Sequence, residues 1–124
     1  MVERIILLTI QKPFADAILA GQKLKEFRRW PPKILQPTRT IMLVSSVWEI
    51  VGEIVLDPAS GERTPWGYPM RVSCPRRYSP ALSWKTLSMQ IPGLRPPQRS
   101  YRYLDPDNLA DARLVEMLEQ CHTP

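Results

Sequence analysis

"LAGQKLKEFRRW", residues 19–30, decides how this chain is read. Lys23, Lys25, Arg28 and Arg29 surround a single carboxylate, Glu26, in a segment that reads as a strand. Side chains two apart on a strand share a face, so Glu26 and Arg28 project together while Phe27 turns the other way, into packing. Lys23, at the turn after Gly21, reaches back toward Glu26. A carboxylate between two cations stays ionised and holds both in fixed positions. Arg28 then presents a planar fork to phosphate, and Glu26 an acceptor for a base amino group. The plainer alternative is a solvated salt-bridge cluster on a sheet edge, worth about 0–1 kcal/mol per pair.

Working outward, "RIILLTI" (4–10) is a continuous apolar run suited to a buried strand. In "KPFADAILAG" Pro13 fits a first helical turn and Gly21 the position just past the end, with Phe14, Ala17, Ile18 and Ala20 facing the core. "KLKEFRRW" is then a strand, ended by Pro31-Pro32. "RTIMLVSS" (39–46) and "VWEIVGEIVL" (47–56) are two more strands; alternation in the second places Trp48, Ile50, Ile54 and Leu56 inward, and Gly52 marks a bulge or a close backbone approach. Residues 57–69 are loop chemistry, and "MRVSCPRRY" is a strand interrupted by Pro75. "SPALSWKTLSMQIPG" has room for one helical turn. "PPQRSYRYL" (96–104) closes as a strand with Ser100 and Arg102 on one face and Tyr101 and Tyr103 on the other. An amphipathic helix follows over about 106–121, capped by Asp105 or Asp107, with Ala110, Leu114, Met117, Leu118 and Cys121 as its stripe. With 124 residues and no internal repeat or linker, one domain over 1–124 is expected, α+β in class: a small mixed β-barrel of five to six strands over about 4–104, a short N-terminal helix and the C-terminal helix.

Composition narrows the function. The chain carries a net charge of +5, unevenly placed. Seven Lys or Arg and no acid lie between Arg71 and Arg102, whereas five acids face one Arg113 from Asp105 onward. Such segregation points to a polyanionic partner, and Arg76-Arg77 with Arg95 and Arg99 are candidates for tracking phosphates. Cys74 and Cys121 lack metal-ligand spacing, so no metal and no cofactor is expected. His122, the only histidine, lies in the tail, which argues against histidine-dependent acid–base chemistry. "IILLTI" is too short for a signal segment or a membrane span, and a reduced, cytoplasmic protein that meets no membrane is the simplest expectation.

These segments together resemble the ASCH domain of the PUA-like superfamily. The family pattern Gly-x-Lys-x-x-Glu-x-Arg stands here as Gly21, Lys23, Glu26 and Arg28, preceded by the helix start Lys12-Pro13. "IMLVSS" and "VGEIVL" follow, and the closing element of one ASCH branch spans Pro96 to Leu104, with Arg99 inserted before Ser100. The resemblance implies a barrel whose helix and motif strand line a cleft. It also implies binding of RNA or another nucleic acid, or of a modified base as in YTH, EVE and PUA relatives. Candidate ligand-binding residues are Lys12, Lys23, Glu26, Arg28, Ser45, Ser100 and Arg102. Tyr101, Tyr103 and Trp66 are candidates for contact with bases, the tyrosines by stacking.

Some ASCH proteins are hydrolases, which keeps a second reading open: a ribonuclease or amidohydrolase acting from the same cleft, with Lys23 and Glu26 as its catalytic residues. The amidohydrolase branch requires a threonine nucleophile three residues after the lysine, and Glu26 stands there instead. Glu53 is the candidate second carboxylate. A third reading is a protein-interaction module whose basic face meets an acidic partner.

Overall fold

In chain order the elements are β1 (Ile5–Ile10), α1 (Lys12–Leu19), β2 (Lys25–Arg28), β3 (Thr38–Val44), β4 (Glu49–Leu56), β5 (Tyr68–Ser83), α2 (Trp84–Gln90), β6 (Tyr101–Leu104) and α3 (Leu109–Gln120). This computed structural model describes residues 4–98 and 100–120, so Arg99, Cys121 and His122 lie outside the described residues. The class is α+β, and the six strands form one curled mixed sheet in the order β2-β5-β4-β3-β1-β6.

The sheet explains why β1 shows no polar alternation. It runs parallel to β3 and antiparallel to β6, and both of its faces are covered. Ile5 and Leu7 enter a core shared with α2 and α3, whereas Ile6 and Leu8 pack on Ile34, Tyr101 and Tyr103. A third apolar cluster, inside the curl, joins Ile10 and Met42 to Ala15 and Ile18 of α1 and to Met70.

Several local expectations change for physical reasons. In α1 the buried positions are Ala15 and Ile18, three apart, while Phe14 and Ala20 are exposed. Trp48 is not core: it sits before β4 begins, at φ 51°, and is 47% exposed. The alternation of β4 therefore does not extend back to it. Pro75 does not interrupt β5, which runs through it for 16 residues. The pairing with β4 shifts register between Glu53 and Val55, and Pro75, which has no N–H to donate, falls within that irregularity. Gly52 lies in the same irregular stretch, where an added Cβ would sit 2.4 Å from the Arg76 carbonyl oxygen. Gly21, at φ 76°, lets the chain leave α1 for the motif strand.

The helices on the outer face are tied down by polar groups. Ser83 Oγ caps α2 by accepting from the Thr86 N–H. At the start of α3 the cap is Asn108, whose Oδ1 accepts from Asp111 N–H; Asp105 instead accepts from Asp107 N–H in a local turn. Arg102 grips Asp111 with two hydrogen bonds, at 2.8 and 2.7 Å, and Asp105 N–H donates to the same carboxylate. Across the sheet, Arg39 of β3 joins Glu53 of β4 to Glu119 of α3, and Tyr78 of β5 donates to Glu53. Among the described residues no helix is long and apolar enough to cross a membrane.

Two outcomes test this description. Gly52→Ala forces the β4–β5 backbones apart and is expected to lower stability by about 1–3 kcal/mol in urea denaturation. Burial alone would raise the pKa of Asp111, but the Arg102 hydrogen bonds outweigh it and hold the carboxyl below the usual range. A depressed folded value means the pair stabilises the fold above the unfolded carboxyl pKa, and that the stabilisation is lost as pH falls through the folded value. Asp111→Asn is therefore expected to lower stability at neutral pH and to flatten the acid limb of a stability–pH curve.

Candidate functional site

The motif strand is an edge of the sheet, and its polar face turns back over the end of β1. Glu26, 4% exposed, is more deeply buried than any other motif residue. Arg28 donates to Glu26 Oε2 from Nε at 3.1 Å and from Nη2 at 2.8 Å. Nη2 also donates to the Thr9 carbonyl oxygen at 2.7 Å, so one guanidinium ties β2 to β1 across the open side of the curl. The shared face expected for Glu26 and Arg28 is thus observed. Phe27 lies edge-on to Trp66 with ring centroids 6.1 Å apart.

The other half of the carboxylate is differently placed. Oε1 of Glu26 accepts no hydrogen bond among the described residues; Lys23 Nζ stands 3.9 Å away. The Lys23 ammonium lies 5.2 Å from the Phe14 ring centroid and 5.5 Å from that of Phe27. Two aromatic faces therefore hold the cation close to, but not upon, the acid.

Beside this cluster is a hollow of about 350 Å³, within the range of small-ligand sites. Its lining brings together Glu26, Arg28, Ser45 and Ser100, together with Thr9, Gln11 and Phe14. The Ser100 carbonyl accepts from both the backbone N–H and the hydroxyl of Thr9, which fixes the wall where β1 and β6 part. The side chains of Ser45, Ser100 and Gln11 make no hydrogen bond among the described residues, and neither does Nη1 of Arg28. No side chain caps α1, whose Phe14, with Gln11 just before the helix, forms another wall.

The remaining candidates lie elsewhere. Lys23 does not line the hollow but stands 3.9 Å from the Glu26 carboxylate that does. Lys12 pairs with Asp16 one turn along α1, in solvent, and does not line the hollow. Arg102 is committed to Asp111 and to the Arg95 carbonyl, at the foot of α3. Glu53 is buried against Arg39 and Tyr78 and is not part of the lining. Tyr103 packs on Tyr101 and donates to the Lys33 carbonyl. Arg76 and Arg77 are exposed on β5 beyond the reach of β2. Sequence reading missed Thr9, Ile10, Gln11 and Phe14 as wall residues, and Phe27, expected to turn away into packing, also lines the hollow. The one hydroxyl inside the apolar run of β1 was the available signal for Thr9. Among the described residues no group of three or more His, Cys, Asp or Glu can hold a metal ion.

A curled mixed sheet with a polar hollow between the first helix and an edge motif strand is a PUA-like fold. More closely, the fold is that of an ASCH domain. It superimposes on the crystal structure of ASCH from Zymomonas mobilis with a TM-score of 0.69 and 16% identity, over 92% of this chain and 94% of that one. Two point-mutant forms of the Zymomonas mobilis protein match at TM-score 0.70 and 16% identity, covering 92% of this chain and 95% and 97% of theirs. No protein-family model and no curated protein matches the sequence.

The Glu26–Arg28 pair is structural as well as available to a ligand. Arg28→Ala leaves a buried carboxylate with Lys23 at 3.9 Å but no hydrogen bond from a guanidinium, and is expected to destabilise the fold by about 3 kcal/mol in urea denaturation. Arg28→Lys keeps the charge but not the fork, and is expected to recover only part of that loss.

Proposed function

We propose that this chain is a nucleic-acid-binding module, for RNA in the first place, which holds a base or modified base in the hollow beside Glu26. The observation that carries the reading is the half-satisfied carboxylate. Oε2 is saturated by Arg28, while Oε1 is buried and accepts nothing from the described residues. A buried acceptor of that kind is costly until a donor reaches it, and the exocyclic amino or ring N–H of a base is such a donor. Arg28 Nη1, Ser45 and Ser100 supply further polar contacts, and Lys23 supplies positive charge at the rim for a phosphate. The excess of Lys and Arg over acids supports a polyanionic partner.

Hydrolysis from the same cleft is the second reading, favoured by the Lys23 ammonium held between two rings beside a carboxylate. Product release from RNA or acetylcytidine that disappears in Lys23→Ala would support it.

The test is titration of the protein and of a Lys23→Ala/Arg28→Lys variant with single-stranded RNA, single-stranded DNA and duplex DNA at two salt concentrations. Binding that weakens with salt is expected, with a loss of about tenfold or more in the variant and a shallower salt slope. Equal binding by variant and parent removes the hollow from the account. Binding only to acidic proteins supports an interaction module instead.

A further inference from the structure

We infer that a second subsite, the hollow between Trp30 and Tyr101, receives the nucleotide next to the one held beside Glu26, so that the ligand is a single strand of at least two nucleotides rather than a free nucleoside. The inference rests on the reading of the first hollow given above and adds to it a direction and a neighbour.

The second hollow measures about 580 Å³ and is lined by Trp30, Gln98, Ser100 and Tyr101. Ser100 lines both hollows, so the two adjoin at the point where β1 and β6 part. A strand leaving the first hollow past Ser100 enters the second without crossing the protein.

Packing does not explain Trp30. It directly follows the motif cations, is 73% exposed and belongs to none of the apolar clusters. A large aromatic face left in water beside a hollow is what base stacking uses, because every base has a π-face to offer. The Arg29 guanidinium lies 5.6 Å from the Trp30 ring centroid and places a cation beside that face, where a phosphate would pass. The opposite wall is held firm: Tyr101 is packed edge-on against Tyr103, 5.8 Å between centroids, and rests on the cluster of Ile6, Leu8 and Ile34. The Tyr101 hydroxyl and the Gln98 amide make no hydrogen bond among the described residues, so both can meet the edge of a base. Burial, with a smaller effect from Tyr103, raises the Tyr101 pKa, which keeps that hydroxyl a neutral donor. The bases of a duplex are already stacked on both faces and cannot supply this contact.

The test compares each of the four ribonucleoside 5′-monophosphates with the matching homodinucleotide, by calorimetry or by quenching of tryptophan fluorescence. For the base that binds best, the parent protein is expected to bind the dinucleotide about tenfold or more tightly than the mononucleotide. Trp30→Ala is expected to abolish that gain while leaving mononucleotide binding unchanged, and Trp30→Phe to keep most of it. The exposure of Trp30 means that neither variant disturbs the core, which a thermal melt checks. A dinucleotide-to-mononucleotide ratio that is the same in Trp30→Ala and in the parent overturns the second subsite and leaves the first intact. Failure of the parent to bind any of these probes or single-stranded RNA overturns the reading of the first hollow, and this inference with it.

Discussion

A sheet of six strands curls here until β2, at one edge, comes within reach of β1, yet no backbone ladder joins the two. What spans the gap is the guanidinium of Arg28, which holds Glu26 on its own strand and the Thr9 carbonyl on β1. Everything at the site depends on that link. It sets the distance between the motif strand and β1, orients the carboxylate so that one oxygen stays uncommitted, and forms one wall of the hollow. The buried charge is tolerated because its partner is a fork with several donors; a point charge in the same place would satisfy fewer atoms.

Around this seam the fold keeps its polar work in separate places. Arg39, Glu53, Tyr78 and Glu119 bind sheet to α3 on the outer face, where burial alone would lower the Arg39 pKa but Glu53 and Glu119 raise it. Burial, then Glu53, likewise raises the pKa of Tyr78, so the phenol stays a donor. Arg102 and Asp111 do the same for the foot of α3. These networks are closed: each charge is met within the protein. At Glu26 and Arg28 donors and acceptors remain over, and that difference separates a candidate site from structural ion pairs of similar composition.

The sequence was legible where one local rule dominated. The apolar run of β1, the Pro13 and Gly21 punctuation of α1 and the two-residue spacing of Glu26 and Arg28 each led to the element observed. It was misleading where a pattern was extended past its element. Trp48 fits the alternation of β4, but the turn before that strand puts it in solvent. Pro75 reads as a break, but a bulge in the β4 pairing carries β5 through it. Which charged residues meet the hollow depends on how far the sheet curls, and no local pattern encodes that. Arg102 and Lys12 have the right chemistry, but the curl leaves one beneath α3 and the other on the outside of α1. Trp30 follows the motif directly, and its exposure emerges only once Pro31 and Pro32 turn the chain away.

The placement of prolines and like charges also bears on the open edge of the sheet. Both terminal strands of the sheet, β2 and β6, are only four residues long, and β5 continues well past the end of β2 with one side bare. That uncovered length carries Pro75, Arg76, Arg77 and Pro80. Rings without N–H groups and adjacent like charges make it a poor template for an incoming strand from another molecule. Pro75 and Pro80, set within the strand itself, thus leave this flank of β5 ill suited to edge-to-edge pairing.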